Sequence, residues 1–133
     1  MIQKFLQRYR EAFGDGVPLP VAFGYSDTPV EEIRKIPRCM IGAIRKVCDG
    51  QALTLSVDNV LCGGGSLYTR FAPMQERIPR FVSEQEHYKQ TPEQVKTYVS
   101  RLGISLTEKP YLNFVRMDKL ASLDDAEGIL FFA

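Results

Sequence analysis

Cys62-Gly63-Gly64-Gly65-Ser66 is the stretch of this chain best suited to hold something other than protein. Three glycines flanked by Val60, Leu61, Leu67 and Tyr68 do not make a linker, which would be polar on both sides. Glycine permits positive φ and close backbone approach. If Ser66-Leu67-Tyr68 opens a helix, the freed N–H groups form a nest for an anion. A tight strand-to-helix turn with nothing bound accounts for the same residues. The stretch is not a P-loop, because no Gly-Lys-Ser/Thr follows. Nor is it the dinucleotide fingerprint, because Tyr68 stands where the third glycine belongs.

Cysteine is the other reactive residue type. Cys39 follows Pro37-Arg38, so it is expected in the first turn of a helix, where the macrodipole and Arg38 favour the thiolate. Cys48 is nine residues further on, which turns it to the opposite side, among Ile41 and Ile44, as a core residue. Cys39 and Cys62 remain as a candidate pair from two elements, with two unrelated buried thiols as the plain alternative. As a metal site the pair is incomplete: no metal is expected unless a second subunit or outside ligands complete it. The one histidine, His87, stands in a polar stretch and reads as a surface residue. Arg70, Arg77 and Arg80 could grip a phosphate or carboxylate, or simply coat a surface. Glu31-Glu32 and Asp124-Asp125 read as solvated charges, not an acid/base pair.

These residues need elements to position them. Ile2, Phe5, Leu6, Tyr9, Ala12 and Phe13 recur at helical spacing and predict a helix over 2–13, closed by Gly14 and Gly16. A second helix is expected over 38–48, ended by Asp49-Gly50. A third is expected over 92–102, opened by the capping box Thr91-Pro92-Glu93-Gln94, with Val95, Tyr98, Val99 and Leu102 inward. Strands are expected over 19–25, 52–57, 111–116 and 128–133. Pro18 and Pro20 confine the first of them to a sheet edge, or stand in its lead-in. Thr28-Pro29 predicts a short helix through Arg34, and 118–123 another. Residues 66–90 show no clean period. The pattern alternates helix and strand without regular βαβ spacing, which predicts a single α+β domain over 1–133: a mixed sheet with three main helices.

Composition narrows the function classes. Hydrophobic residues make up 44% of the chain and charged residues 25%, enough for a real core without disulfides. Seventeen Lys and Arg against 16 Asp and Glu leave a formal charge of +1. That is no bulk field to gather nucleic acid or an anionic membrane, so neither is an expected partner. Three widely spaced cysteines and the absence of a signal-like N-terminus predict a reduced, cytoplasmic protein.

Three segments together resemble the ArCR family, a cytoplasmic domain of unknown function found mainly in archaea and bacteria. They are Pro18-Leu19-Pro20-Val21-Ala22-Phe23, then Cys39-Met40-Ile41-Gly42-Ala43 with Cys48-Asp49-Gly50, then Cys62-Gly63-Gly64-Gly65. The resemblance covers about residues 15–70 and the rest loosely. It implies that Cys39, Cys62, Gly63 and Gly64 form the functional or structural centre, and it implies a fold and a pocket without a reaction. Family members run well beyond 133 residues, which implies either a short member or a fragment.

Three functions from different classes follow. The first is binding of a small molecule or cofactor, with an anionic group on Gly63, Gly64, Gly65 and Ser66 beside Cys39 and Cys62. The second is thiol, metal or iron–sulfur redox chemistry on Cys39 and Cys62, and the identity of any cofactor is open. The third is an interaction module whose exposed sheet edge pairs with a partner or with itself as a homodimer. The unbroken apolar run ending at Phe132-Ala133 is expected either as an interior strand, paired with 111–116 or with the proline-led strand, or in a subunit contact.

Overall fold

Ile2, Leu6 and Tyr9 lie one helical turn apart, and they are the residues that helix α1, Ile2–Phe13, buries. The helix stops where Gly14 takes φ 84° and donates its N–H to the carbonyl of Arg10 at 2.8 Å. Phe5 and Phe13, also on the apolar stripe, stay 38% and 63% exposed, because the stripe is wider than the surface beneath it. The structure is a computed structural model that describes residues 1–132.

Pro18 and Pro20 precede strand β1, Val21–Ser26, so their missing N–H groups cost the ladder nothing. With β2, Leu53–Leu55, β3, Tyr111–Arg116, and β4, Gly128–Leu130, it forms a sheet in the order β2-β3-β1-β4. The fold is α+β, but the sheet is antiparallel at every pairing instead of mixed. The register gives the reason. Ser26, the last residue of β1, stands opposite Tyr111, the first of β3. The excursion between them, which carries most of the helices and β2, therefore returns the chain to the end of β1 it left, and β3 must run back along β1.

Both faces of the sheet are covered. On one, Val21, Leu55, Leu112 and Phe114 pack against Ile44, Val47, Cys48 and Val60. Cys48 is thus a core residue, as its position predicted. On the other, Ala22 and Met117 pack against Ile2 and Leu6. The C-terminal run pairs with the proline-led strand, but as the edge strand β4 and not an interior one. Its residues are half-buried, Phe131 is 57% exposed, and Ala133 lies outside the described residues.

Three other expectations fail. Residues 28–34 form no helix, because buried side chains on the sheet take their backbone groups. Thr54 Oγ1 accepts from the amides of Val30 and Glu31, each at 3.1 Å, and Asn113 Nδ2 donates to the carbonyl of Thr28 at 2.9 Å. The second helix, α2, is shorter than expected, Met40–Lys46, with Cys39 as its N-cap and a 3₁₀ turn over Val47–Asp49. The helix expected over 118–123 is one 3₁₀ turn, Met117–Lys119.

Arg116 fixes that last turn to the 3₁₀ turn that follows α2. Its guanidinium donates to both carboxylate oxygens of Asp118, at 2.7 and 2.9 Å, and to the carbonyl of Cys48 at 2.8 Å. The hydrogen bonds from Arg116 hold the Asp118 carboxyl below the usual carboxylate range, against the opposing effect of burial. A lowered folded-state pKa gives stability that is present at neutral pH and disappears as the carboxyl protonates. The urea midpoint should therefore fall as pH drops below about 4. Asp118→Asn should be less stable at pH 7 and lose less over the same acid interval. Equal losses in the two proteins would show that the pair contributes nothing.

Candidate functional site

The glycine stretch is helical from its first glycine. Helix α3 spans Gly63–Tyr68, with Cys62 as N-cap. Cys62 Sγ accepts from the amide of Gly65 at 3.5 Å, and the Cys62 carbonyl from the amide of Ser66 at 2.8 Å. Ser66 Oγ donates to the carbonyls of Val60 and Cys62, each at 3.0 Å. The buried Ser66 hydroxyl is therefore committed to the fold.

None of these glycines has positive φ, and their role is close packing. A Cβ at Gly63 would lie 2.8 Å from Ile78 Cδ1 and 3.0 Å from Gln75 Oε1. One at Gly65 would lie 3.2 Å from Val60 Cγ1 and 3.3 Å from Met40 Sδ. Gly63 thus lets helix α4, Arg77–Arg80, approach, and Gly65 seats α3 against the core side. Gly64 differs: a Cβ there would meet nothing within 4 Å.

The open space beside Gly64 is a hollow of about 870 Å³, within the range of small-molecule sites. Cys62, Gly63, Gly64 and Leu67 form one wall. Opposite them, α4 runs into a π-helical turn, Phe81–Gln85, in which the amide of Glu86 bonds the carbonyl of Phe81, five residues back. Such turns widen a helix and often sit at functional sites. Ile78, Phe81 and Val82 from this segment face Val95, Tyr98 and Val99 of helix α5, Pro92–Arg101. Arg38, Arg77, Lys89 and Glu86 stand among the lining residues as its charged members.

Two links tie α3 to the sheet. Tyr25 on β1 donates its hydroxyl to the carbonyl of Thr69 at 2.6 Å. Burial pushes that hydroxyl above the ordinary tyrosine value, with the nearby Arg70 guanidinium opposing. Arg70 follows the helix with φ 64°, a conformation costly for a side chain other than glycine. Its guanidinium offsets this by lying over the Tyr25 ring and donating to the carbonyl of Ser105 at 2.7 Å.

Of the residues singled out from the sequence, Cys62, Gly63 and Gly64 line the hollow. Gly65 and Ser66 are buried behind its wall. Cys39 is exposed at the start of α2 and outside the lining, though Arg38 beside it is part of it. Among the described residues no three Cys, His, Asp or Glu side chains converge on a point. The arginines do not converge either: Arg70 serves the fold, Arg80 pairs with Glu84 at the surface, and only Arg77 lines the hollow. His87 is exposed between two lining residues, Glu86 and Tyr88. The far wall, Ile78, Phe81 and Val82, escaped sequence reading because the π turn and Pro79 break any 3.6-residue period. The readable signal was α5, whose apolar stripe leaves Tyr98 and Leu102 half exposed.

Gly65→Val should destabilise the protein by about 1–3 kcal/mol in urea denaturation, through overpacking against Val60. Gly64→Ala should be neutral or stabilise by up to about 1 kcal/mol, since it adds helix propensity into open space. The reverse order would show that the glycines are not there for packing.

No known protein family, curated protein or solved structure matches this chain, and the resemblance to the ArCR family rests on its motifs alone.

Proposed function

We propose that this protein binds a small organic molecule in the hollow between α3 and the α4–α5 segment. The observation that carries the reading is the contrast among three consecutive glycines. Two are filled against by neighbouring side chains, and the middle one faces about 870 Å³ of open, largely apolar-walled space. A hollow of that size walled by Leu67, Ile78, Val82 and Val95 gains by exchanging water for an apolar body. Cys62, on the same wall, places a thiol beside whatever is bound.

Anilinonaphthalene sulfonate is a suitable probe, because its fluorescence brightens and shifts blue when it leaves water for an apolar site. Wild-type protein should bind one equivalent with a blue shift, and bound probe should slow alkylation of Cys62 but not of Cys39. Gly64→Phe, which pushes a ring into the hollow, should abolish binding while keeping the unfolding free energy in urea to within about 1 kcal/mol of wild type. Unchanged binding by a folded Gly64→Phe variant would place the probe elsewhere and remove the basis of the proposal.

A second reading has its own observation. The outer edge of β4 lies beside an aromatic cluster in which Tyr9 contacts Phe13 and Phe131, with ring centroids 5.0 and 6.0 Å apart. Phe13 and Phe131 are more than half exposed, which suits a homodimer built on the sheet edge. Sedimentation equilibrium of wild type and of Phe131→Glu decides it. A dimer lost in the variant supports this reading, and a wild-type monomer ends it.

A further inference from the structure

We infer that the hollow selects an organic acid: an apolar or aromatic body carrying one terminal anionic group. The inference rests on the hollow being a binding site, and adds the sign of the ligand's charge and the residues that read it. The lining holds three cationic side chains, Arg38, Arg77 and Lys89, against one carboxylate, Glu86. They come from three separate places: the approach to α2, the start of α4 and the approach to α5. Over the whole chain the two signs nearly cancel, 17 against 16, while around the hollow the positive sign leads.

Like most Lys and Arg side chains among the described residues, the lining cations have no carboxylate within ion-pair distance; Arg116, Arg80, Arg34 and Lys109 are the ones that do. Lys89 Nζ lies over the Tyr98 ring at 5.1 Å, which holds the ammonium at the hollow without neutralising it. Arg77 Nε donates to Gln75 Oε1 at 2.9 Å, leaving its terminal nitrogens to donate elsewhere. A carboxylate, sulfonate or phosphate monoester at the mouth would gain charge-assisted hydrogen bonds from groups that otherwise face water. Its apolar body would displace water along the aliphatic walls. The short helix α3 is not needed as an anion site, and two of its first amides are already taken by Cys62.

The test is a calorimetric titration of the full chain with dodecanoate, dodecanol and dodecylammonium, the ions below their micelle concentrations and the alcohol below its solubility limit. Dodecanoate should bind tightest and weaken as salt rises. Replacing both Arg38 and Lys89 by glutamine should weaken dodecanoate about tenfold, since each exposed charge contributes a few-fold, and leave dodecanol unchanged. Glu86→Gln should strengthen dodecanoate. Equal binding of dodecanoate and dodecanol, untouched by the Arg38→Gln and Lys89→Gln changes, overturns the charge selection while leaving a ligand-binding hollow in place. Preference for dodecylammonium overturns it as well. If none of the three binds and Gly64→Phe does not alter probe binding, the hollow itself is refuted and this inference falls with it. A wild-type dimer that Gly64→Phe converts to monomer would mean that a second copy fills the space, which also overturns the inference.

Discussion

The site depends on how closely the backbone of α3 approaches its neighbours. At Gly63 and Gly65 the distances leave no room for a methyl group unless Ile78, Gln75, Val60 or Met40 moves. A core tolerates few voids and little overpacking. A side chain at either position must displace the side-chain atoms packed there, Ile78 and Gln75 at Gly63 or Val60 and Met40 at Gly65. The space beside Gly64 follows from that placement. With its neighbours pinned, the helix offers bare backbone to the gap between itself and α5. The N-cap bond from Gly65 to Cys62 and the bond from Tyr25 to Thr69 fix the two ends of the same short helix.

That helix is only six residues long and could not hold its place by its own propensity. Its support comes from the antiparallel sheet, through β1 and the core under Val60. The sheet in turn is held on its far edge by buried polar groups instead of further strands. Thr54 and Asn113 bond each other at 2.8 Å and capture the loop that follows β1. Asn59 accepts from the amide of Ser56 at 2.8 Å and donates to the carbonyl of Thr54 at 2.9 Å, so the edge of β2 is capped by a side chain. A buried polar network of this kind specifies one arrangement only when every member is satisfied. Here no buried side-chain nitrogen or oxygen among the described residues lacks a partner.

Much of the frame was legible in the residues. The helices over 2–13 and 92–102 and the strand over 111–116 lie where periodicity and capping put them, because amphipathic spacing and a Thr-Pro cap are local signals. Cys48 belonged to the core by its spacing alone. What failed was decided at a distance. Thr28-Pro29 is a good helix start, but Asn113, remote in sequence, occupies the Thr28 carbonyl that would accept the first helical bond, and Thr54 holds the amides of Val30 and Glu31 on the sheet. The direction of β3 depends on where an 84-residue excursion ends, which no local pattern encodes. The glycines were recognised as a place of close approach, but the partners of that approach, Ile78 and Val60, lie in segments without period or contrast. Of the lining cations, Arg77 was legible as a group that could grip an anion or coat the surface and Arg38 only as the neighbour of Cys39, and their gathering with Lys89 is a property of the fold.

The claim most open to direct test is that the space between α3 and α5 takes up an organic molecule. Methyl-resolved NMR of the full chain during titration with dodecanoate reads this residue by residue. The account predicts saturable shifts at Leu67, Ile78, Val82, Val95 and Val99, with Ile2, Leu6 and Ile129 on the opposite face of the sheet unmoved. Shifts confined to α1 and β4, or no saturable shift at the five wall residues, would contradict it.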